Sequence, residues 1–335
     1  MRTSSTMPPE SVASALPPAR RRPDLGQLAR EYGIVVALIV IVVALSFMNP
    51  YFLTVRNISN IFLQISINGF LATGMTFVML AGGIDLSVGS VLAAGGIVAA
   101  GLVSGDHAYA PWVGILAGLG TGALLGAVNG GLVAYLRVPA FVATLGMLST
   151  ARGITEVYSG GMPIPDLADG FVELGQGRLF GITIPVWIYL ACIVVAVVIT
   201  RNTRFGRYVY AVGGNARSAV TSGINTKLVI FTTFVLSGLL AGLAGMILTA
   251  RTTSGLPQAG IGYELDAIAA VVIGGTSLSG GVGTMVGSLL GALIIGVINN
   301  GLDLMGISSF YQHIIKGVII VGAVLFDANA RREQR

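Results

Sequence analysis

The strongest constraint on this chain is a succession of apolar runs about 20 residues long, joined by short polar segments, from residue 34 to residue 327. A helix needs a run of that length to cross roughly 30 Å of hydrocarbon. A membrane β-barrel would instead alternate apolar and polar residues in segments of about ten. Composition agrees: 54% of residues are hydrophobic and 10% charged, where a soluble domain carries about 25% charged residues. The net charge of +5 would suggest nucleic acid in a soluble chain. Here the basic residues lie between apolar runs, as the positive-inside rule requires, so the bilayer is the expected partner and nucleic acid is not. The lone cysteine, Cys192, excludes an intramolecular disulfide.

The runs at 34–48, 57–80, 87–104, 111–136, 140–158, 184–200, 228–250, 263–278, 283–301 and 311–327 predict an all-α integral membrane protein with about ten transmembrane helices. Those near 87–104, 140–158 and 263–278 are short or broken by glycine and are candidates for re-entrant segments. The predicted organisation is a disordered cytoplasmic tail over 1–32, a transmembrane domain over 33–328 with a cytoplasmic loop at 201–227, and a C-terminal tail over 329–335. With both termini cytoplasmic, Arg137, Arg201, Arg204, Arg207, Arg217 and Lys227 fall inside, as do the basic residues of both tails. Only Arg56, Arg152, Arg178, Arg251 and Lys316 fall elsewhere. The opposite loops lean acidic through Asp106, Asp166, Asp169, Glu173, Glu264, Asp266 and Asp303, and 159–183 reads as a long surface loop.

The stretch MLAGGIDLSVGSVLAAGGIVAAG at 79–101 carries a lone carboxylate inside an apolar context. Gly82 and Gly83 interrupt the helix there, since glycine propagates helices poorly. Irregular backbone at membrane depth is tolerated only where protein or a watery cavity covers it. Asp85 therefore belongs at a helix break, and two readings of Asp85 and Ser87 stay open: a turn that caps the next helix, and a direct part in transport. An internal echo accompanies the break. Residues 126–132, GAVNGGL, resemble residues 296–302, GVINNGL, and a second Gly-Gly break stands at 274–279, GGTSLS. Duplicated halves with broken helices are a habit of transporters, although Gly238-x-x-x-Gly242 and Gly287-x-x-x-Gly291 also suit ordinary helix packing.

Residues 201–227, RNTRFGRYVYAVGGNARSAVTSGINTK, form the largest and most basic cytoplasmic connection. Within it Asn215 can cap a short helix that Gly223 ends. Ala216, Ala219 and Thr221 would then present a low-profile surface to another protein; an interfacial helix held to anionic lipid by its arginines is the alternative.

Four segments together carry a family likeness: GGIDLSVGS at 82–90, GGNARSAVTSGI at 213–224, LSGLLAGLAGMILTAR at 236–251 and VVIGGTSLSGGVGT at 271–284. In this order they resemble the permease subunit of sugar-importing ABC transporters, closest to the ribose, xylose and galactose group, and the likeness covers residues 34–327. The resemblance implies a type II importer bundle in the bacterial inner membrane, a second permease subunit in a homodimer, and two ATPase subunits that bind ATP and Mg. It also implies a periplasmic sugar-binding protein. The segment at 213–224 matches the coupling region of the family, so Asn215, Ala216, Ala219 and Gly223 carry over as ATPase contacts. Family members often place acidic residues where this chain has Ala216 and Arg217, which leaves the charge complement of the ATPase open.

The chain itself offers no phosphate-binding loop, because the glycines at 280–283 are not followed by Lys and Ser/Thr. It is therefore expected to be no enzyme and to hold no cofactor or metal. His107 and His313 lack metal-ligand spacing. His313 and Lys316, one helical turn apart with Asp303 just before them, could form a polar cluster at the outer end, with helix-end snorkelling of Lys316 as the favoured reading. Candidate pathway-lining residues are Gln64, Asn68, Thr73, Asn129 and Asn299, polar groups within apolar runs, with helix–helix hydrogen bonding as the plainer reading of each. Three other functions remain to be weighed, one of them a non-transporting membrane scaffold, which would show no flux with any partner. A branched-chain amino acid permease would carry Asn and His-Gly around Asp85–Gly89. A stand-alone ion-coupled transporter would need midplane carboxylates, for which Asp85 and Glu156 are the candidates.

Overall fold

A computed structural model describes residues 25–322 apart from 107, 309, 313 and 320. Residues 1–24 of the tail expected over 1–32, the whole tail expected over 329–335, and both histidines lie outside the described residues, and 25–32 are helical. Contacts divide the chain between Gly33 and Ile34, and all packing reported below lies on the C-terminal side of that division.

The elements in order are α1 (Leu25–Met48), α2 (Val55–Leu80), α3 (Val88–Val103), α4 (Pro111–Ala134), α5 (Ala140–Ser159), α6 (Asp169–Gln176), β1 (Arg178–Leu179), β2 (Ile182–Thr183), α7 (Ile184–Asn202), α8 (Arg204–Gly214), α9 (Ala216–Thr221), α10 (Thr226–Thr252), α11 (Tyr263–Ile273) and α12 (Met285–Leu304). Helical backbone follows at 310–312, 314–319 and 321–322. Among the described residues five helices, α2, α4, α7, α10 and α12, are long and apolar enough to cross a bilayer; 33–48 and α3 are shorter apolar helices. Helix starts follow local chemistry: the side chains of Thr54, Asn225 and Thr284 accept from the amides of Asn57, Leu228 and Gly287, satisfying donors that a first turn otherwise leaves free.

α10 is the hub and packs on α2, α3 and α4. α2 is buried from Leu63 to its end apart from half-buried Gln64 and Asn68, and α3 along almost its whole length. α4, α5 and α7 instead turn Leu116, Leu124, Phe141, Val142, Val194 and Val198 outward. An apolar outer wall is unpenalised in lipid, so helix association there rests on close packing rather than on hydrophobic burial. Glycines supply that closeness. A Cβ on Gly122 would land on the carbonyl of Gly238, and one on Gly238 would land on that of Gly122, so α4 and α10 cross with their backbones in contact. Gly287 and Gly291 meet Gly274 and Ala270 in the same way. Two polar ties join α2 to α12: Asn57 and Asn300 exchange side-chain amide bonds of 2.9 Å, and Thr76 donates to Ser288 at 2.7 Å.

These ties also fix helix directions. Asn57 meets Asn300 and Thr76 meets Ser288, so α12 runs antiparallel to α2. α4 runs antiparallel to α10, because Gly118 faces Gly242 while Gly130 faces Phe231. α2 and α10 are antiparallel as well, with Gly74 beside Ser237 and Gly83, just past the end of α2, beside Phe234. The echoed segments 126–132 and 296–302, on α4 and α12, therefore run in opposite directions, the relation of an inverted-topology repeat.

Three expectations change. The 159–183 segment holds α6 and the β1–β2 hairpin, and Phe171 buries itself among Ala99, Ala100, Val103, Met246 and Ala250. The basic connection carries α8 as well as the expected short helix. The run at 263–278 is helical only to Ile273, because positive φ at Gly275, Gly280 and Gly281 breaks the backbone there.

Candidate functional site

Two helices begin inside the bundle, from opposite ends. Gly82, at φ +85°, turns the chain back after α2, and 83–87 run without helix to the start of α3. Asp85, 2% exposed, ends up beside Ser237, eleven residues and so about 16 Å along α10. One carboxylate oxygen accepts from the Ser87 amide at 3.0 Å and its hydroxyl at 2.6 Å; the other accepts from the Ser237 hydroxyl at 2.8 Å. Asn129, wholly buried, donates to Ser87 Oγ at 2.9 Å. Asp85, Ser87 and Asn129 thus form one network that pins the break to α4 and α10. Both oxygens of Asp85 are engaged within it.

From the other end, the irregular stretch 253–262 descends beside α3 to the start of α11, with Gly260 against Gly89. Its carbonyls need partners at that depth. Arg152 of α5 supplies two, donating to Pro257 O at 2.6 Å and Ala259 O at 3.0 Å, and Ile164 pairs with Gly255 near its start. In its first turn α11 carries Asp266, 2% exposed. Lys316 pairs with Asp266 Oδ2 at 2.9 Å, and Asn299 donates to the same oxygen at 3.2 Å. Lys316 therefore does not snorkel. The acidic residue expected in an outer loop is a buried intrahelical-bundle carboxylate, and Glu156, named as a midplane candidate, is exposed instead.

Around this pair lies a cavity of about 180 Å³. Gln64, Ile67 and Asn68 of α2 form one wall, with Tyr263 and Asp266 of α11 facing Asn299 and Asp303 of α12. Arg251, Gln312 and Lys316 complete it. Gln64 and Asn68 lie about 14 and 20 Å from the start of α2. Three of the five expected lining residues, Gln64, Asn68 and Asn299, therefore converge. Thr73 is elsewhere: it is buried and donates to Gly69 O of its own helix. Asn129 belongs to the Asp85 network. Arg251 also lines a second cavity, of about 480 Å³, with Arg56 and Arg178 at the end of the bundle that carries β1 and β2.

The opposite, basic end carries α8 and α9. Asn215 caps α9 by accepting from Ser218 N at 3.0 Å, and Gly223, at φ +80°, follows its end. Asn215, Ala216, Arg217, Val220, Thr221 and Gly223 are exposed, whereas Ala219 is only 3% exposed and packs against the core. Ala219 thus supports this surface from below rather than lying on it. α8 is tied to both breaks. The Tyr210 hydroxyl donates to Gly283 O at 2.8 Å, Gly281 N donates to Leu80 O at 2.9 Å, and Gly213 lies against that carbonyl. Burial pushes the Tyr210 phenol above its ordinary pKa, against a smaller opposite effect of Arg201, so it stays a neutral donor.

A helical bundle with half-helices entering from both ends, a polar cavity where one begins and an exposed segment tied to the breaks is the build of a membrane permease. Residues 57–324 match the family described as branched-chain amino acid transport system / permease component, and the chain belongs to it. Among curated relatives it is similar to the ribose import permease protein RbsC of Escherichia coli K12, 50% identical over 87% of this chain and 92% of the relative. It is 48% identical to RbsC of Haemophilus influenzae over 91% and 95%, respectively. The L-arabinose ABC transporter permease protein AraH of Azospirillum brasilense is 39% identical over 97% of this chain and 95% of its own. No solved structure matches.

Proposed function

We propose that this chain is the permease subunit of an ABC importer for a monosaccharide of the ribose type, driven by ATP hydrolysed on a separate subunit. The observation that carries the reading is half-identity to ribose import permeases across about nine tenths of both chains. That kinship favours sugar over a branched-chain amino acid, in keeping with the IDLSVG form at 84–89.

In this reading the protein sits in the bacterial inner membrane with both termini cytoplasmic and pairs with a second copy. The exposed face of Asn215, Ala216 and Gly223 meets the ATPase subunit, which binds ATP and Mg. A periplasmic binding protein delivers sugar to the end bearing the Arg56–Arg178–Arg251 cavity. When the ATPase pair closes, α9 moves with α8. The Tyr210–Gly283 and Gly281–Leu80 bonds then carry that displacement to the two breaks, which shifts α11 and α12 against α2 and alternates access to the Asp266 cavity.

Affinity purification of the tagged protein from its own membrane, with mass spectrometry of what accompanies it, tests the assignment. An ABC ATPase in roughly equal amount is expected. A preparation without ATPase, repeated in mild detergent and after cross-linking, would overturn it in favour of a stand-alone transporter.

A further inference from the structure

We propose that the three-arginine cavity at the end of the bundle carrying β1 and β2 binds the phosphate of an anionic phospholipid, a partner independent of what the chain carries. Five basic residues fall outside the cytoplasmic segments, against the ordinary charge asymmetry of membrane proteins. Two of them are satisfied inside the protein: Arg152 by the carbonyls of Pro257 and Ala259, and Lys316 by Asp266. The other three, Arg56 of α2, Arg178 of β1 and Arg251 of α10, line one cavity of about 480 Å³. Among the described residues their guanidinium groups make no hydrogen bond or ion pair, and no carboxylate lines the cavity. Three like charges gathered without a counter-charge repel one another. The forked donors of a guanidinium match phosphate oxygens, which would relieve that repulsion.

Depth assigns the anion to a lipid. Arg56 is the second residue of α2, Arg251 lies in the last turn of α10, and Thr183, also in the cavity wall, immediately precedes α7. All three helices are long and apolar enough to span a bilayer, so the cavity sits where spans end, at the level of lipid headgroups. Beside it the β1–β2 hairpin presents Leu179, Phe180 and Ile182 outward, Phe180 being 88% exposed. Trp187, in the first turn of α7, is partly exposed and donates its indole N–H to Leu179 O at 3.1 Å. Aromatic side chains with one apolar and one polar end belong at the membrane–water interface. Val55, in the cavity wall itself, is exposed as well. The arginines alone would suit any small anion; the apolar hairpin next to them gives acyl chains a surface to lie on.

The test uses the full-length protein in phosphatidylcholine nanodiscs that contain a small fraction of lipid with brominated acyl chains, either phosphatidylglycerol or phosphatidylcholine. Trp112→Phe leaves Trp187 as the sole tryptophan, and Trp112 is exposed, so nothing buried is lost. Bromine quenches an indole that it touches, so quenching reports the lipid lying against the hairpin. Brominated phosphatidylglycerol should quench more strongly than the brominated zwitterionic lipid, with an apparent preference of at least about tenfold, because one arginine near an anionic lipid is worth about fivefold. This comparison needs no change in the cavity itself. Arg56→Gln/Arg178→Gln should lower the preference by at least about fivefold. Inorganic phosphate, added at an ionic strength matched with chloride, should leave it in place. Equal quenching by the two lipids, or a preference that survives the double variant, would overturn the proposal. Loss of the preference on adding inorganic phosphate would overturn it in favour of a soluble anion. Equal quenching together with weaker capture of the periplasmic binding protein by the double variant would also overturn it, and would give the arginines to carboxylates of that protein.

Discussion

Replacing Lys316 by Met removes the one cation bonded to Asp266 among the described residues and leaves a carboxylate that is 2% exposed with Asn299 as its remaining donor there. Taking one partner from a buried ion pair costs about 3–5 kcal/mol, most of it the penalty of the charge left behind. For 335 residues, at about 2.1 cal/mol/K of unfolding entropy per residue, that corresponds to a melting temperature roughly 4–7 °C lower. The double variant Lys316→Met/Asp266→Asn removes the stranded charge while keeping an acceptor for Asn299. It should recover at least half of the loss, giving a coupling energy above about 1 kcal/mol. Thermal unfolding in mild detergent, followed by circular dichroism for wild type, both single variants and the double, measures the cycle. If Lys316→Met melts with the wild type, or the double melts as low as that single, the pair is not the buried contact described and Lys316 reaches the membrane surface after all.

Ser237→Ala removes one of three bonds to the Asp85 carboxylate; a hydrogen bond to a charged group is worth about 1.5–3 kcal/mol, and the same melts should register that loss. Asn300→Ala leaves Asn57 Oδ1 without its partner while Asn57 Nδ2 keeps its bond to Phe52 O, and should cost about 1–3 kcal/mol, whereas Asn57→Val/Asn300→Val, which removes both partners of the pair, should cost less than the sum of the single changes. Gly223→Trp adds a large side chain at an exposed position with φ +80° beside α9. It should insert normally, fail to retain the ATPase in pull-downs and abolish uptake; normal uptake with a normal complex would rule out docking at this surface.

Much of the frame could be read from the residues. Every expected apolar run contains helix, because hydropathy over about 20 residues reports directly on what lipid accepts. The break at Gly82–Ser87 and the caps at Asn215 and Gly223 were legible because glycine and short polar side chains act within a turn or two of themselves. The dive of 253–262 was not. Its small and weakly polar residues, SGLPQAGIG at 254–262, look the same whether they lie at the surface or inside, and what admits them to the interior is Arg152, a hundred residues away. Asp266 was misplaced for the same reason, since a charged residue just after a loop reads as part of that loop. For Lys316 the favoured snorkelling gave way to the alternative of a polar cluster, because snorkelling and pairing need the same side chain, and only the path of α11 decides between them. Thr73 and Asn129 show the limit of selecting pathway residues by polarity: one is satisfied by its own helix, as threonine often is, and the other by a break on a neighbouring element.

The most direct test of the central claim is transport by the purified permease with its ATPase in sealed proteoliposomes, supplied with the cognate binding protein and labelled ribose. The account predicts accumulation that requires both ATP hydrolysis and the binding protein, and that persists when the proton gradient is collapsed. Accumulation that continues without ATP and disappears with the proton gradient would contradict it and assign the chain to ion-coupled transport.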